Sequence, residues 1–227
     1  MSDAMVKYKA GDGCDVKLTP AIVARYVVTG NAQASDKDVY SFMMRCQARG
    51  LNPLAGDAYM TCFKGQHGTS CSVIVSKDYF VRTATQQPDY DGMQAGVTVV
   101  TKDGELVRRE GSLVLEGEQL VGGWAEVHDK RRSIPSKAEV SLAEYNQHRS
   151  LWKTMPSTMI RKVAIVQALR EAYPGKFSGV YDSAEMPEPV APAPEPTAPE
   201  PDPVEAVPVD AEPEPEQAGY TTDDINF

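Results

Sequence analysis

Apolar positions in the first 50 residues repeat at helical spacing behind two capping signals. Thr19 and Pro20 are typical of the N-cap and first position of a helix covering LTPAIVARYVV. Ser35 and Asp38 form the capping box of a second helix, SDKDVYSFMMRCQARG, which Gly50 ends. Apolar residues recur every three or four positions, so each helix is expected to bury one face.

The pattern after the second helix changes to β-rich runs separated by glycine turns. DAYMTCFKGQHGTSCSVIV predicts a hairpin, and SKDYFVRTATQQ predicts a short helix capped by Ser76. Three further antiparallel strands are predicted between Gly92 and Arg132, with a hairpin turn at KDG. MPSTMIRKVAIVQALREAYPG predicts a last helix ended by Pro174 and Gly175. This order predicts an α+β fold, an antiparallel sheet packed with helices.

The composition changes sharply near residue 184. The segment from Glu185 to Phe227 holds twelve acidic residues, eleven of the 17 prolines and no Lys or Arg. All 23 basic residues lie before it, against 20 acidic ones, so a body of about +3 precedes a tail that brings the net charge to −9. Acidic, proline-spaced sequence cannot bury a core. We therefore predict a folded core over 1–183, a disordered linker over 184–218 and an acidic-hydrophobic tip over 219–227.

The cysteines and the apolar runs bear on the compartment. The four cysteines show no C-x-x-C spacing, and the N-terminal stretch lacks the apolar run of a signal peptide. We expect free thiols in a reducing cytosol, with Cys46 in the core. No apolar run approaches the 18 residues of a membrane span. The sequence thus predicts a cytoplasmic protein without a membrane segment.

Catalytic signatures are missing from the sequence. It contains no GxxxxGK[ST] phosphate loop, no GxSxG nucleophile and no metal-ligand spacing among its three histidines. Carboxylates are frequent, but none forms a pair in an apolar setting that would favour acid–base catalysis. These absences favour a binding protein over an enzyme, and no cofactor is expected.

Basic residues concentrate in the second half of the body. The candidates for binding phosphate, together with one neighbouring aromatic residue, are Arg131, Arg132, Trp152, Lys153, Arg161, Lys162 and Arg170. Guanidinium and ammonium groups neutralise phosphates, and an exposed aromatic ring can stack on a base. The alternative is a solvated basic face with Trp152 in the core, which the spacing alone favours slightly.

Three segments resemble the phage recombinase family of lambda Red beta and RecT. They are GLNPLAGDAYMTCF, VSKDYFVRTATQQPDYDGM and WKTMPSTMIRKVAIVQALREAYPGKFSGVYD. The GLNP turn, the D-[YG]-[FW]-x-R segment with its later DGM, and the W-x-x-x-P-x-x-M-[IL]-R helix ending in GxYD follow the family's order over roughly residues 35–185. Together these motifs are specific, although each alone is weak.

The resemblance implies an ATP-independent protein that binds single-stranded DNA and anneals it to a complementary strand in homologous recombination. It also implies homo-oligomeric rings or filaments, binding of the annealed duplex, a phage exonuclease as partner and action in the cytosol of the bacterial host. Two like-charged backbones must be brought together, so cations have to screen phosphates while the bases stay exposed. Mg²⁺ enters only as a potential counterion of the annealed DNA.

Residue by residue, the resemblance assigns DNA binding to the last helix and the segment before it. Arg161, Arg170, Trp152 and the pair Arg131 and Arg132 match residues of the lambda protein. Where that protein has two DNA-contacting lysines, this sequence has Ser157 and Val163, and Lys153 and Lys162 are the nearby candidates to compensate. Lys64 and Lys77 are further candidate phosphate contacts.

The chain ends in TTDDINF, which is similar to the acidic tip of bacterial single-stranded DNA-binding proteins. Those proteins end in several aspartates, Ile-Pro and a terminal Phe. Asp223, Asp224, Ile225 and Phe227 supply the same groups here, with Asn226 in place of the proline. The similarity implies docking onto host or phage proteins that bind such tips. The alternative is that the acidic tail competes with DNA for the basic body.

Two competing functions remain open at this point. A single-stranded DNA-binding protein that only protects and recruits is supported by the tip, but the body lacks the five-strand pattern of an OB barrel. A structural or interaction protein with an acidic bristle explains the composition of the tail. It does not explain the recombinase-like last helix.

Overall fold

The predicted α+β class is confirmed, with antiparallel sheets packed against helices. A computed structural model describes residues 5–65, 68–148 and 150–186. Within these ranges the chain forms nine strands in three sheets and seven α-helices. Residues 184–186, at the start of the predicted linker, are described, and Ala184 is 1% exposed. The rest of the predicted linker and the predicted tip lie outside the described residues.

The strands form sheets of two, three and four members. The two-stranded sheet pairs β1 (Val6–Lys9) antiparallel to β2 (Asp15–Leu18). The second sheet has the order β3-β4-β5, with β3 (Val28–Gly30) parallel to β4 (Ala58–Gly65) and β5 (Gly68–Val75) antiparallel to it. The third is antiparallel in the order β7-β6-β8-β9, formed by β6 (Tyr90–Val100), β7 (Leu106–Glu110), β8 (Gln119–Asp129) and β9 (Ser136–Ser141).

The helices lie between and after these strands. They are α1 (Pro20–Tyr26), α2 (Asp36–Arg49), α3 (Lys77–Thr85), α4 (Leu142–Tyr145), α5 (Ser150–Thr154), α6 (Pro156–Ala172) and α7 (Pro174–Phe177). The capping signals are confirmed. Thr19 Oγ1 accepts a hydrogen bond from the backbone N–H of Ile22, and Ser35 and Asp38 form the reciprocal capping box of α2. Gly50 ends α2 in the left-handed conformation, with φ of 63°.

Helix α6 is the centre of the core. Nine of its 17 residues are buried, so it is covered on most of its circumference rather than along one stripe. It packs on β8, β9 and β6 of the four-stranded sheet and on α3. The close approach requires a glycine, because a Cβ atom at Gly123 would lie 2.6 Å from the carbonyl oxygen of Ile160.

A buried ion pair connects the GLNP turn to α3. Asn52 accepts a hydrogen bond from the N–H of Ala55 and so caps a 3₁₀ turn, Pro53–Ala55. The carboxylate of Asp57 is 2% exposed and accepts hydrogen bonds from Arg82 Nη2 at 2.6 and 2.7 Å and from the N–H of Asn52 at 2.8 Å. The GLNP segment and the D-Y-F-x-R segment are therefore parts of one structural unit.

The sequence prediction missed several short elements. β1, β2 and β3 have three or four residues each and were not predicted. The third sheet has four strands instead of three, because residues 136–141 form β9 beyond the basic turn. The last helix also continues past Tyr173 as the one-turn helix α7, since Pro174 is compatible with a new first turn.

The prediction of four free thiols is wrong for one pair of cysteines. Cys62 on β4 and Cys71 on β5 lie directly opposite each other and form a disulfide. Cys14 is free and exposed, whereas Cys46 is free and buried in the core, as predicted. Burial raises the pKa of the Cys46 thiol to about 12, so this thiol stays protonated at neutral pH. None of the described helices has the length and apolar character needed to cross a membrane.

Candidate nucleic-acid interface

Two adjoining clefts run along one side of the described body. The first, of about 430 Å³, is lined by Gln87, Asp89, Arg131, Arg132, Ala172, Tyr173, Pro174, Gly175 and Lys176. The second, of about 570 Å³, is lined by Gly11, Ala48, Arg49, Tyr79, Thr83, Gln86, Gln87, Gly175 and Lys176. The clefts share Gln87, Gly175 and Lys176, and we call them together the basic groove. Three elements shape it: the end of α3, the turn between β8 and β9, and α7.

Arg131 is held in place by carboxylates at the end of β8. Its Nε lies 3.0 Å from Asp129 Oδ1 and its Nη2 lies 2.6 Å from Asp129 Oδ2. Asp89 Oδ2 is 3.2 Å from the same Nε. These hydrogen bonds from Arg131 lower the pKa of Asp129 to about 2. Arg131 therefore has a fixed orientation, and much of its charge is already neutralised.

Three other cations of this region remain exposed. Lys130 and Arg132 lie in the turn after β8, and Lys176 lies on α7. The guanidinium of Arg132 contacts the Ser136 hydroxyl, 3.3 Å from Nη1. None of the three forms an ion pair with a described carboxylate. Arg132 and Lys176 line the groove, and Lys130 lies next to Arg131 in the same turn, so this region offers positive charge to an anionic ligand.

Arg49 fixes α7 at the second cleft. Its Nη1 donates to the carbonyl oxygen of Lys176 at 3.0 Å, and its Nη2 donates to that of Ser178. The backbone carbonyl of Arg49 accepts from the Tyr79 hydroxyl at 3.1 Å. The position of Lys176 is therefore set by the C-terminal end of α2.

Tyr173 has a buried hydroxyl group without a hydrogen-bond partner in the described structure. The residue is 6% exposed, lines the first cleft and follows α6 directly. Burial raises the pKa of Tyr173, so its hydroxyl remains a proton donor at neutral pH. Buried polar atoms are nearly always paired, so this unpaired donor beside the cleft is a candidate contact for a ligand atom.

Two residues predicted to bind DNA make internal ion pairs. Lys162 Nζ lies 2.8 Å from Asp182 Oδ1, and Arg170 Nη2 lies 2.5 Å from Glu185 Oε2. The Arg170 guanidinium also stacks 4.8 Å from the ring centre of Tyr181. Both side chains thus hold the segment that follows α7 against α6. Their assignment to DNA stays a prediction, and it would require these pairs to open or to be shared.

The other predicted residues lie at separate places. Arg161 donates through Nε to the carbonyl oxygen of Ala95 on β6 at 3.2 Å. Trp152 is 2% exposed, so its ring is inside the core in this conformation. Lys153 is exposed on α5.

Lys64 is exposed at the end of β4, and Lys77 pairs with Asp78 at the start of α3. Ser157 is half-buried in the first turn of α6, and Val163 is fully buried in the same helix. The structure therefore brings Arg131 and Arg132 together in the groove and disperses the rest. A lysine at position 163 would replace a core residue of this chain.

Sequence reasoning did not select Lys176 or Tyr173. Tyr173 is at the end of the last predicted helix, and Lys176 directly follows Pro174 and Gly175, which the prediction treats only as the end of that helix. A helix end that carries Tyr, Gly and Lys, inside the segment that resembles the recombinase family, is a sequence signal for a ligand-binding site. What the sequence could not show is that this terminus lies opposite the turn after β8.

The exposed Arg132 and Lys176 and the unpaired Tyr173 hydroxyl make the basic groove a candidate binding site for a polyanion on an α+β body. The sequence profile of the RecT family matches residues 18–199, so the chain belongs to the RecT family.

One curated relative is a protein of Ureaplasma parvum serovar 3 that is described as uncharacterized. It is 28% identical to this chain over 149 residues, which are 64% of this chain and 60% of the relative. The chain thus spans about 60% of the length of that relative. The similarity supports a shared fold, and the description of the relative names no activity.

Replacement of Tyr173 tests the groove without changing its charge. We expect Tyr173→Phe to leave the free energy of unfolding unchanged or slightly higher, because it removes a buried hydroxyl without a partner. The same change should weaken equilibrium binding of a single-stranded oligonucleotide about fivefold, which corresponds to about 1 kcal/mol for one lost hydrogen bond. Fluorescence anisotropy and thermal unfolding measure the two effects.

The matched control is Tyr26→Phe, because Tyr26 is exposed and lies outside the groove. It should change neither property. Unchanged DNA binding by Tyr173→Phe, or a clear loss of stability, would show that the hydroxyl serves no ligand.

Proposed function

We propose that the protein is an ATP-independent recombinase that binds single-stranded DNA in the basic groove and anneals it to a complementary strand. The observation that carries the proposal is the groove itself, with Arg132 and Lys176 free of ion pairs to described carboxylates in a member of the RecT family. Such an activity needs positioning and charge screening, and it needs no nucleophile. Among the described residues, no cluster of three or more His, Cys, Asp or Glu side chains could hold a metal ion.

The groove favours contact with the DNA backbone over contact with the bases. The aromatic residues among its lining side chains are Tyr79 and Tyr173, which are 3% and 6% exposed. Neither ring presents a face for base stacking, whereas the lysine and arginine groups are exposed. A strand bound through its phosphates leaves the Watson–Crick edges free, and annealing requires this.

Further residues and partners belong to the same proposal. Arg161, Lys162, Arg170, Lys153, Lys64 and Lys77 remain candidate contacts along a longer DNA path. We propose assembly into homo-oligomeric rings or filaments, a phage exonuclease as the supplier of single strands, and action in the cytosol of a bacterial host. Resemblance to the lambda Red beta branch of the family supports these points.

A protein that only protects single strands is the second candidate. The terminal sequence DDINF favours it, because it is similar to the tip of bacterial single-stranded DNA-binding proteins. The body opposes it, since the described strands form three sheets of two, three and four members, of which the largest packs against the buried helix α6, and not a five-stranded barrel.

An annealing assay separates the two candidates. Complementary fluorescent strands are mixed with the full chain in buffer without any nucleotide, and duplex formation is followed by energy transfer. We expect pairing to be faster than between naked strands, with no effect of added ATP, and we expect the rate to fall as salt rises.

A non-complementary strand provides the control for aggregation. Tight binding combined with pairing slower than between naked strands would contradict an annealing function. That result would favour the protective candidate.

We also propose that the tip, residues 219–227, docks onto proteins that bind the tip of the host single-stranded DNA-binding protein. Its terminal Phe227 and the two aspartates match the apolar and acidic groups of that tip. Deletion of 219–227 should abolish binding to such a protein in a purified two-component assay and leave the affinity for oligonucleotides unchanged. Phe227→Ala should reproduce the loss of docking with the tail otherwise intact.

Tighter DNA binding after the deletion, with docking unaffected, would contradict recruitment. It would indicate that the acidic tip competes with DNA for cations.

A further inference from the structure

The hairpin of β1 and β2 carries an unfavourable arrangement of like charges. Lys7 and Lys17 are directly opposite each other in the antiparallel register, and both are exposed. Side chains at such positions are separated by only about 5 Å at their Cβ atoms, and like charges there are destabilising. A pair of opposite charges at these positions would stabilise the hairpin more than two lysines do, so the stability of the fold does not explain the two lysines.

No described carboxylate compensates this pair. Lys9 is the next exposed residue on the same face and lies opposite Asp15, yet neither forms an ion pair with a described residue. Asp12, in the turn, is engaged elsewhere, since it accepts from the N–H of Cys14 and from Asn52 Nδ2. The outer face of the hairpin therefore holds three lysines and one aspartate, with an excess of positive charge.

The hairpin is fixed to the body, so the two lysines cannot move apart by fraying. Its inner face buries Val6, Val16 and Leu18 in the main core. The hydroxyl of Tyr8 donates to the carbonyl oxygen of Leu51 at 2.5 Å. The N–H of Gly11 donates to the carbonyl oxygen of Gly50 at 2.8 Å. The backbone that carries Lys7 and Lys17 is thus held in place by these contacts.

The turn of the hairpin forms one end of the basic groove. Gly11 lines the second cleft, and its carbonyl oxygen accepts from Gln86 Nε2 at 3.2 Å. The lysine face thus begins two residues from the groove, at Lys9. The three lysines of the hairpin precede residue 18, where the match to the RecT family begins, so these charges are not part of the matched region.

We propose that the outer face of this hairpin is an additional phosphate-binding site, which Lys7, Lys9 and Lys17 form for the backbone of single-stranded DNA leaving the groove. A phosphodiester chain is the ligand class that fits, because its closely spaced negative charges neutralise neighbouring lysines and remove their repulsion. The inference rests on the proposed function and extends the DNA path by one structural element.

The test is the double variant Lys7→Gln with Lys17→Gln in the full chain. For single strands, each lost phosphate contact reduces the slope of log K against log salt by about 0.7, so we expect the slope to fall by about 1.4. Thermal unfolding should occur at an unchanged or higher temperature, because the repulsion is gone. A purely structural role for the lysines would lower that temperature.

The matched control is Lys37→Gln with Lys102→Gln, which removes the same charge from exposed positions outside the groove and the hairpin. Its slope should stay near that of the unmodified chain. Equal slopes in the two double variants, or a less stable hairpin variant, would overturn the inference.

Binding and annealing measurements distinguish a failure of the proposed function from a failure of the hairpin site alone. An unmodified chain that neither binds nor anneals single strands would overturn the proposed function and the hairpin site with it. Normal annealing together with an unchanged slope in the hairpin variant would overturn the hairpin site alone.

Discussion

The close contact between α6 and the four-stranded sheet is the constraint on which the remaining structure depends. Gly123 allows the backbone of α6 to approach β8 at Ile160, and nine buried side chains then fill the space between the sheet and α3. The contact positions the C-terminal end of α6 beside the turn after β8. Tyr173 and α7 consequently lie across from Arg131 and Arg132, and a groove forms between them.

The ion-pair partners of the basic residues, more than the positions of these residues in the sequence, decide which of them are available to a polyanion. Arg170 and Lys162 look like a basic helix face in the sequence, but both pair with acidic residues of the segment after α7. Arg131 is similarly engaged by Asp129. The cations left for a polyanion are fewer, and they lie on turns and on α7 instead of on the long helix. Turns can carry such groups without cost to the packed core.

Much of the fold could be predicted from local chemistry. The caps at Thr19, Ser35 and Ser76 and the stop at Gly50 depend on neighbouring residues only, and the structure confirms each of them. Three- and four-residue strands such as β1 and β3 are too short for a periodic pattern, and they form because long-range packing stabilises them. The disulfide could have been predicted, since Cys62 and Cys71 are equally distant from the centre of the predicted turn.

Only part of the candidate site could be predicted from the sequence. Arg131 and Arg132 were predicted as DNA contacts, and the structure places both in the same cleft, while their role stays a prediction. Lys176 and Tyr173 are more than 40 residues away along the chain. Their position beside the arginines follows from the packing of α6, which no local pattern encodes.

The annealing rate of a groove variant shows whether the basic groove performs the annealing. Arg132→Gln with Lys176→Gln removes two unneutralised cations, while Lys37→Gln with Lys102→Gln removes the same charge elsewhere. We expect slower annealing by the groove variant, with the slope of log K against log salt reduced by about 1.4, and a near-normal annealing rate for the control. Equal annealing rates for the two variants would contradict it.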